Sequence, residues 1–488
     1  MKMAKIRENL RRISEYCREI PASARKGMRV PARIYGDDAL VASMDEAVFE
    51  QAANVAMLPG IRKYALCMPD GHSGYGFPIG GVAAVDPDEG GVISPGGIGF
   101  DINCGIRLMA TSLTLPEVKG EIPALVDRLF ARVPSGVGAA GELVLKGSKL
   151  DEAMRKGAGW AVRNGYGEPE DLEYCEENGR VDGAEPDAVS QKARERGKNQ
   201  TGTLGSGNHF LEIQVAKRSG VRDEKTARAF GIDRDDQIVV MIHSGSRATG
   251  HQIATDYLRL FLSVQRRYGL DLPDRELACA PLYSDEGRAY FGAMNCAINI
   301  AFLNRQLIMH RVREVFAEHF KKSPRELGLR LVYDVCHNTA KLESHEFDGK
   351  THKLLVHRKG ATRAFGPGMR DIPDRYRAYG QPVIVGGSME SGSYLCAGTA
   401  SASQSFFSTV HGSGRTMSRS QAKKMFNGRD LQRGLGERGI HIRTASFSGL
   451  AEEAGGAYKD IDAVVGAAFG AGLCAPVARL IPLGNVKG

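Results

Sequence analysis

Short apolar runs that end in glycine-rich polar turns recur along this chain of 488 residues. The runs at 80–85 and 106–110 are brief, apolar and flanked by glycine, which is typical of buried strands. Further apolar runs at 236–243, 329–336 and 381–385 also lead into polar or glycine turns. The pattern therefore predicts several buried strands joined by tight turns.

Helical periodicity is strongest in two long segments, 250–267 and 284–320. The second carries an apolar stripe at roughly helical spacing, which we interpret as core packing. The stripe consists of Tyr290, Met294, Ile298, Phe302 and Leu307. The first sixteen residues, charged throughout, predict a helix that leads to a strand-like stretch near 29–34. The tail from 455 to 487 predicts a helix followed by a strand.

The segment 115–200 is more polar than the part of the chain before it, and it is predicted to contain more helix. Within it, 136–199 contains charge clusters and turn signals, and we interpret this part as a surface excursion of moderate order. Low-complexity repeats are absent from the sequence.

Composition narrows the class of protein. An apolar content of 42% and a charged content of 25% are ordinary for a folded soluble domain. No apolar run reaches about eighteen residues, so no transmembrane helix is predicted. Lysine and arginine exceed the acidic residues by 8. This positive charge is compatible with an anionic partner such as nucleic acid, and equally with a role in simple solubility.

Cysteine usage points to a reducing compartment. The nine cysteines are scattered and form no CxxC pair, so a disulfide framework is not expected. The charged start does not resemble a secretory signal. We therefore expect a cytoplasmic protein.

The glycine-rich stretch 93–105 contains a carboxylate and a thiol three residues apart, Asp101 and Cys104. Both side chains on such a constrained loop can reach one metal ion. A glycine turn with one buried cysteine explains the stretch equally well, so this segment alone leaves both interpretations open.

Three histidines share one setting, and they favour the metal hypothesis. His209, His243 and His337 each stand at the boundary between an apolar run and a polar turn. With Asp101 and Cys104 they supply five ligands, enough for two ions if the thiolate bridges. Thiolate and imidazole suggest zinc first, and manganese remains open because a carboxylate is present.

A fourth histidine, His411, precedes Gly-Ser-Gly and Arg415. Small residues leave room for a large group, backbone N–H groups can hold phosphate, and Arg415 adds a positive charge. His411 is a candidate nucleophile on phosphorus, with a general base or a further metal ligand as open alternatives.

Other polar stretches carry weaker hypotheses. The glycine turns at 202–207 and 386–388 can cradle phosphate but do not match the P-loop pattern. The basic stretch 358–363 is either a contact for a phosphate backbone or a solvated loop. Asp70 and His72 are candidates for proton transfer or contact with RNA ends, or Asp70 simply forms a turn.

A series of motifs from about residue 57 to the C-terminus resembles the RtcB family of GTP-dependent RNA-splicing ligases. In order they are Met68-Pro-Asp-Gly-His72, Gly99-Phe-Asp-Ile-Asn-Cys-Gly105, Gly207-Asn-His-Phe-Leu-Glu212, His243-Ser-Gly-Ser-Arg247, His337-Asn338, His411-Gly-Ser-Gly-Arg415 and Lys487-Gly488. Many multi-residue motifs in the family's order make this resemblance specific.

The resemblance implies a reaction and its cofactors. The family joins an RNA 2′,3′-cyclic phosphate or 3′-phosphate end to a 5′-hydroxyl end, using GTP and two Mn²⁺ ions. His411 matches the histidine that carries GMP, and Cys104 matches the ligand that bridges the two ions. Asp101 and His209 would complete one ion's ligands, and His243 and His337 the other's.

The resemblance also implies which positions line the guanylate. They are Asn208, His209, Phe210, Leu211, Glu212, His337, Asn338, Gly386, Gly387, Ser388, Met389, Ser393, His411, Gly412, Ser413, Gly414, Tyr458 and Lys487. Glu212 and Lys487 would be among the groups that read the base. Two departures stand out: Ser413 replaces an expected alanine, and Glu390 stands where the family often has glycine.

The sequence thus predicts an α+β (mixed α/β) fold: one large RtcB-like domain over 1–488 with central mixed sheets. Within it, 136–199 is a variable surface excursion and 250–320 a helical insertion. The expected protein is a monomeric ligase in RNA splicing or repair, with RNA as substrate, an archease-like activator as a possible partner and no membrane association. The alternatives are a metal-dependent phosphodiesterase that acts on RNA ends without guanylylation and a non-catalytic RNA-binding scaffold.

Overall fold

Strands and helices alternate along the chain in the computed structural model, which describes residues 6–488. The strands are β1 (Arg11–Ser14), β2 (Cys17–Ile20), β3 (Ala32–Tyr35), β4 (Ile61–His72), β5 (Ile79–Val85), β6 (Val92–Ile93), β7 (Gly105–Thr114), β8 (Phe210–Val221), β9 (Gln237–Ser244), β10 (Ala280–Pro281), β11 (Arg330–Cys336), β12 (Asn338–Phe347), β13 (Lys350–Lys359), β14 (Ala361–Arg363), β15 (Pro382–Val385), β16 (Ser393–Gly398), β17 (Ser408–Val410), β18 (His441–Thr444) and β19 (Cys474–Lys487).

The helices lie between and around these strands. They are α1 (Asp38–Ser43), α2 (Glu46–Val55), α3 (Leu115–Val118), α4 (Ile122–Arg132), α5 (Gly147–Lys156), α6 (Ala158–Arg163), α7 (Glu170–Glu173), α8 (Gln191–Gly197), α9 (Glu224–Ala229), α10 (Arg247–Val264), α11 (Asp285–Phe320), α12 (Arg419–Met425), α13 (Gly428–Glu437), α14 (Phe447–Glu452) and α15 (Ile461–Gly470). None of the helices within 6–488 is long and apolar enough to cross a membrane.

Two large mixed sheets organise these elements. One has seven strands in the order β1-β2-β3-β4-β5-β13-β12, and the other has eight in the order β11-β7-β9-β8-β19-β16-β15. Most neighbouring strands are antiparallel, whereas β3 and β4 in one sheet and β18 and β19 in the other pair in parallel. Mixed sheets with segregated helices confirm the predicted α+β class.

The register of the eight-stranded sheet determines where the candidate site forms. Gly105 at the start of β7 pairs with Ser244 on β9 and with Cys336 on β11. Phe210 at the start of β8 pairs with His243 on β9. Strand ends that carry predicted site residues therefore meet at one edge of this sheet.

The predicted long helices are confirmed as α10 and α11. All five stripe residues of α11 are buried, and the helix contributes to two hydrophobic clusters. Segment 136–199 forms α5 to α8, and Met154 and Trp160 pack into the same cluster as the first half of α11. Its variability within the family stays a prediction.

The predicted N-terminal helix is wrong over residues 6–16, and residues 1–5 lie outside the described part. The segment forms a short 3₁₀ turn, and β1 then pairs with β2, which pairs with β3. Cys17 and Ile20 bury their side chains in the core. Sheet pairing and this burial outweigh the helix propensity of the charged run.

The basic stretch 358–363 is neither a solvated loop nor an exposed contact for phosphate, and both interpretations are wrong. Arg358 and Arg363 are buried on β13 and β14 and pair with Glu343 and Glu177 respectively. Lys359 donates a hydrogen bond to the backbone carbonyl oxygen of Phe77. Strand pairing directs these cationic side chains into the interior, where they bind carboxylate and carbonyl oxygens from distant segments of the chain.

Candidate active site

The five predicted metal ligands converge at the edge of the eight-stranded sheet. Cys104 immediately precedes β7, His209 precedes β8, and His337 follows β11, while His243 is the penultimate residue of β9. The Sγ atom of Cys104 lies 3.3 Å from His209 Nε2 and 3.2 Å from His243 Nε2. The fold therefore assembles residues that are up to 236 positions apart (337 − 101).

The ligand atoms form two overlapping groups that share Cys104. One group is Asp101, Cys104 and His209, and the other is Cys104, His243 and His337. His209 Nε2 lies 2.8 Å from Asp101 Oδ2, and the Nε2 atoms of His243 and His337 lie 3.2 Å apart. Asp101 Oδ1 is buried and has no hydrogen-bond partner within 6–488. This donor set fits two cations bridged by one sulfur.

Burial controls the protonation of these groups. Burial and neighbouring histidines lower the pKa of His243 and His337 well below the usual range, so both imidazoles are neutral and able to bind a cation. Burial raises the pKa of Asp101, but His209 outweighs that effect and holds it at about 2. Burial and Asp101 raise the pKa of the Cys104 thiol, so its ionisation requires a cation alongside.

A buried ionic network beneath the Asp101–Cys104 loop was missed by the sequence analysis. Arg305 on α11 donates to the carbonyl oxygens of Asn103 and Ser244, at 2.8 and 2.9 Å. Asp334 on β11 pairs with both Arg305 and Arg107, and all three side chains are fully buried. Asn103 itself has a positive φ of 54°. The network therefore holds a turn on which Cys104 depends.

His411 stands directly after β17 and is held by Asp70 on β4. Asp70 Oδ2 lies 2.6 Å from His411 Nδ1, and it also accepts from the backbone N–H groups of His411 and Gly412. Nε2 of His411 has no hydrogen-bond partner within 6–488. The ring centroids of His411 and His337 are 4.9 Å apart. The arrangement leaves Nε2 free to react, close to the predicted metal ligands.

The predicted roles of Asp70 were proton transfer, contact with RNA ends or formation of a turn, and none of them named His411 as its partner. The two residues are 341 positions apart, and only the fold brings them together. The His72 ring also lines the cavity described next, where burial lowers its pKa to about 4. The Asp70-Gly71 pair in the sequence gave no signal that it faces a histidine of another segment.

A cavity of about 510 Å³ opens beside His411. Most residues predicted to line the guanylate lie on its wall. They are Asn208, Phe210, Glu212, His337, Asn338, Gly386, Gly387, Ser388, Met389, His411, Gly412, Ser413, Gly414, Tyr458 and Lys487. A cavity of this volume with clustered polar groups is typical of a site for a small molecule.

Three predicted lining residues are not on this wall. His209 lies among the predicted metal ligands, and Leu211 packs in the core with Ile242 and Val486 because side chains alternate along β8. Ser393 lies behind the wall, where its Oγ accepts from Gly387 N–H at 3.2 Å.

The two departures from the family pattern have separate environments. Ser413 lines the cavity, and its buried hydroxyl has no hydrogen-bond partner within the described residues. The Glu390 side chain instead accepts from Gly455 N–H at 2.7 Å and pairs with Arg438 at 2.9 Å. Glu390 is therefore engaged away from the cavity.

Two buried ionisable residues, Glu212 and Lys487, line the cavity. Glu212 accepts from Asn485 at 2.7 Å, and burial raises the Glu212 pKa to about 7 against the effect of this hydrogen bond. Lys487 donates to the carbonyl oxygen of Gly207 at 3.3 Å and lies over the Phe210 ring. Glu212 and Lys487 thus offer a hydrogen-bond acceptor and a hydrogen-bond donor, which suits a nucleobase that carries both donor and acceptor groups.

Arg415 is engaged by protein groups. Its guanidinium donates to Tyr458 Oη at 3.0 Å and to the carbonyl oxygens of Glu452 and Met417. Tyr458 in turn donates to Glu453. Arg415 therefore positions Tyr458 and also lines the cavity, so its predicted role as a charge for phosphate stays a prediction.

Comparison with known proteins identifies the group to which the chain is similar. The family model described as tRNA-splicing ligase RtcB matches residues 51–488. The tRNA-splicing ligase RtcB of Thermococcus kodakarensis is 53% identical over 481 residues, which cover 98% of this chain and 99% of the relative. The proteins of the same name from Archaeoglobus fulgidus and Methanococcus maripaludis are 52% identical over 480 residues (98% of this chain, 99% of that one) and 48% identical over 484 residues (99% and 100%).

Proposed function

The chain belongs to the RtcB family of RNA ligases, and we propose that it joins RNA ends through a covalent GMP adduct on His411. The substrates would be one strand with a 3′-phosphate or 2′,3′-cyclic phosphate and another with a 5′-hydroxyl, as in tRNA splicing or RNA repair. The observation that carries the proposal is the pairing of His411 with Asp70 beside the metal ligands and the cavity.

Guanylylation would begin at Nε2 of His411. Nδ1 is held by Asp70, so the lone pair on Nε2 attacks the α-phosphorus of GTP. A P–N bond forms, the bond to the β-phosphate oxygen breaks, and pyrophosphate leaves. The Asp70 carboxylate stabilises the positive charge that develops on the ring, as a carboxylate does in a catalytic triad.

The cavity would seat the guanine nucleotide. Glu212 would accept from the N–H groups on the edge of guanine, and Lys487 would donate to an acceptor of the base. Ser413 and Gly414 would lie beside the phosphates, because they carry the chain along the cavity wall. The backbone N–H groups of Gly412 and Ser413 are already donated to Asp70 and to the carbonyl oxygen of Gly386. The α-phosphorus would then lie next to His411.

We propose Mn²⁺ as the cation at both groups of ligands, with Cys104 as the shared one. Bound ions would supply positive charge that offsets the charge of the phosphate oxygens and orients them. The chain's own contribution is to hold neutral imidazoles and one thiolate on strand ends that the Arg305 network fixes.

Ligation would then proceed in two further displacements. An oxygen of the RNA 3′-phosphate, formed by hydrolysis of any cyclic end, attacks the phosphorus of the adduct and frees the His411 nitrogen. The 5′-hydroxyl oxygen attacks the RNA phosphorus of this activated end, its proton is released, and GMP leaves. Each displacement requires the attacking and leaving atoms in line.

We also propose a cytoplasmic, monomeric enzyme that an archease-like protein activates. All nine cysteines are buried and free, which supports a reducing compartment.

A test of the proposed function uses two RNA strands, one with a 2′,3′-cyclic phosphate and one with a 5′-hydroxyl. We expect the wild type to join them only with GTP and Mn²⁺, and His411→Ala to join none. His310→Ala, which changes a half-buried histidine of α11 outside the site, serves as the matched control. Cleavage of RNA without GTP that survives His411→Ala would favour the phosphodiesterase, and RNA binding without either reaction would favour the scaffold.

A further inference from the structure

The last residues of β4 leave the regular pairing of their sheet. The ladder between β4 and β3 ends at Cys67. The ladder between β4 and β5 is interrupted between Cys67 and His72, where β4 advances five residues (72 − 67) and β5 only two (81 − 79). Residues 68–71 therefore form a bulge, which we call the Asp70 bulge after the residue it carries. A bulge frees backbone groups from the ladder and redirects a side chain, so other groups must satisfy this segment.

Lys459 supplies hydrogen-bond donors to the Asp70 bulge. Its Nζ atom lies 2.6 Å from the carbonyl oxygen of Gly71 and 3.2 Å from that of Pro69. One buried ammonium group thus donates to the residues on both sides of Asp70. Displacing either carbonyl oxygen would leave a charged donor in the interior without its partner, which is costly. The position of the Asp70 backbone therefore depends on Lys459.

The backbone of Lys459 binds the loop that follows the proposed nucleophile. Its N–H group donates to the carbonyl oxygen of Gly414 at 2.9 Å, and the preceding residue, Tyr458, forms a β-bridge with Arg415. Gly414 has a positive φ of 72°, and a Cβ atom there would lie 2.1 Å from the carbonyl oxygen of Asp70. The loop therefore packs directly on the Asp70 bulge, and Lys459 is hydrogen-bonded to both segments.

The contact between Asp70 and His411 depends on the relative position of these two segments. Asp70 Oδ2 lies 2.6 Å from His411 Nδ1, and a misplacement of about 1 Å can slow a reaction about 10²-fold. We propose that Lys459 is a positioning residue for guanylylation, which holds the Asp70 carboxylate against Nδ1 of His411 by joining the Asp70 bulge to the loop after His411. Lys459 does not line the cavity, so it acts through Asp70 and not by contact with the nucleotide. The inference rests on the proposed function of the same site.

A double-mutant cycle tests whether Lys459 acts through Asp70. The rate of GMP adduct formation is measured in a single turnover at saturating GTP for wild type, Lys459→Met, Asp70→Asn and the double variant. We expect Lys459→Met to be about 10²-fold slower than wild type, with a GTP binding constant within about 3-fold of it, because the cavity wall keeps its residues. In the Asp70→Asn background the same change should slow the reaction less than about 3-fold, because the carboxylate that Lys459 positions is already absent.

Lys341→Met is the matched control for this cycle. It removes a second lysine with the same exposure of 6%, whose Nζ atom pairs with Glu176 at 2.7 Å, and it should lower the stability without changing the adduct rate. Equal slowing by Lys459→Met in the wild-type and Asp70→Asn backgrounds would overturn the inference, and so would equal slowing by Lys341→Met. If Lys459→Met does not fold, Lys459→Gln, whose amide can donate to one carbonyl oxygen, replaces it in the cycle.

A measurement without GTP separates failure of the inference from failure of the proposed function. NMR of protein labelled with ¹⁵N-histidine reports which ring nitrogen of His411 carries the proton, and His411→Ala identifies the signal. In slightly alkaline buffer we expect the proton on Nδ1, towards Asp70, in wild type and Lys341→Met, and a mixture of both tautomers in Lys459→Met. A single Nδ1–H tautomer in Lys459→Met would overturn the inference even if guanylylation proceeds. The expected mixture would support it even if the wild type forms no adduct.

Discussion

At the scale of single residues, the pairing of Asp70 with His411 would allow an ordinary imidazole to act as the proposed nucleophile. The carboxylate at 2.6 Å fixes the ring and requires the proton to stay on Nδ1. Two backbone N–H groups hold the same oxygen in place. Nucleophile, orienting carboxylate and cavity are thus separate parts that can be altered one at a time.

Asp70→Asn should slow formation of the GMP adduct by about 10²- to 10⁴-fold, because an amide that donates to Nδ1 favours the wrong tautomer. The binding constant for GTP should change little, since Asp70 does not line the cavity. Single-turnover labelling and equilibrium binding measure the two effects. Asp88→Asn, at an exposed carboxylate, is the control, and an adduct rate in Asp70→Asn equal to the control would refute this role.

Glu212 should make the free energy of unfolding depend on pH. Its folded pKa of about 7 lies above the ordinary value of about 4.3, so the folded state retains a proton that the unfolded state has released. The stability contributed by this protonation is complete below about pH 4.3 and is lost as pH rises through 7.

Urea unfolding of metal-free protein at about pH 5 and about pH 8 measures this effect. Glu212→Gln should lose less stability than wild type over the interval, by up to about 3 kcal/mol. Parallel pH profiles for the two proteins would show that Glu212 titrates normally in the folded state.

Cys104→Ala should reduce bound metal from two ions to one or none, because both groups of ligands share this sulfur. Cys279→Ala removes a buried thiol that belongs to neither group and should keep the wild-type content. Metal analysis after gel filtration in Mn²⁺ counts the ions. Two ions retained by Cys104→Ala would mean that the thiolate does not bridge.

At the scale of elements, the site depends on the long helix α11 crossing beneath the strand ends. Arg305 from this helix reaches the loop of Cys104, and Asp334 of β11 balances Arg305 and Arg107 together. Removing one charge from such a fully buried network costs free energy of folding, because the remaining charges are left unpaired and away from water.

Asp334→Asn should therefore lower the free energy of unfolding by about 3–5 kcal/mol. Asp430→Asn, which breaks a surface pair with Arg433, should cost about 1 kcal/mol or less. Urea denaturation of both variants tests the difference. Equal small losses would show that the two arginines find other acceptors.

The same scale shows what the sequence could predict. Apolar runs that are bounded by His209, His243 and His337 are visible in the chain, and each of these histidines lies at a strand end in the structure. The inward direction of Arg358 and Arg363 was not visible, because their partners Glu343 and Glu177 come from separate segments. Side chains alternate between the two faces of β8, and Phe210 and Glu212 face the cavity. This alternation excludes Leu211 from the residues that can line the guanylate.

At the scale of the whole molecule, the fold brings chemistry from both large sheets to one place. The eight-stranded sheet supplies the strand ends with the predicted metal ligands, and β4 of the seven-stranded sheet supplies Asp70. His411 follows β17, which pairs with β14 in a separate two-stranded sheet. Such long-range convergence depends on topology, which short-range sequence patterns do not encode. The motifs could therefore be recognised before their arrangement was known.

The most direct test of the account is transfer of label from GTP to the protein. Wild type and His411→Ala are incubated with Mn²⁺ and GTP labelled at the α-phosphate, then separated on a denaturing gel. We predict an acid-labile label on the wild-type band and none on His411→Ala. An unlabelled wild type that has bound its metal, or an equally labelled His411→Ala, would contradict a covalent GMP adduct at His411.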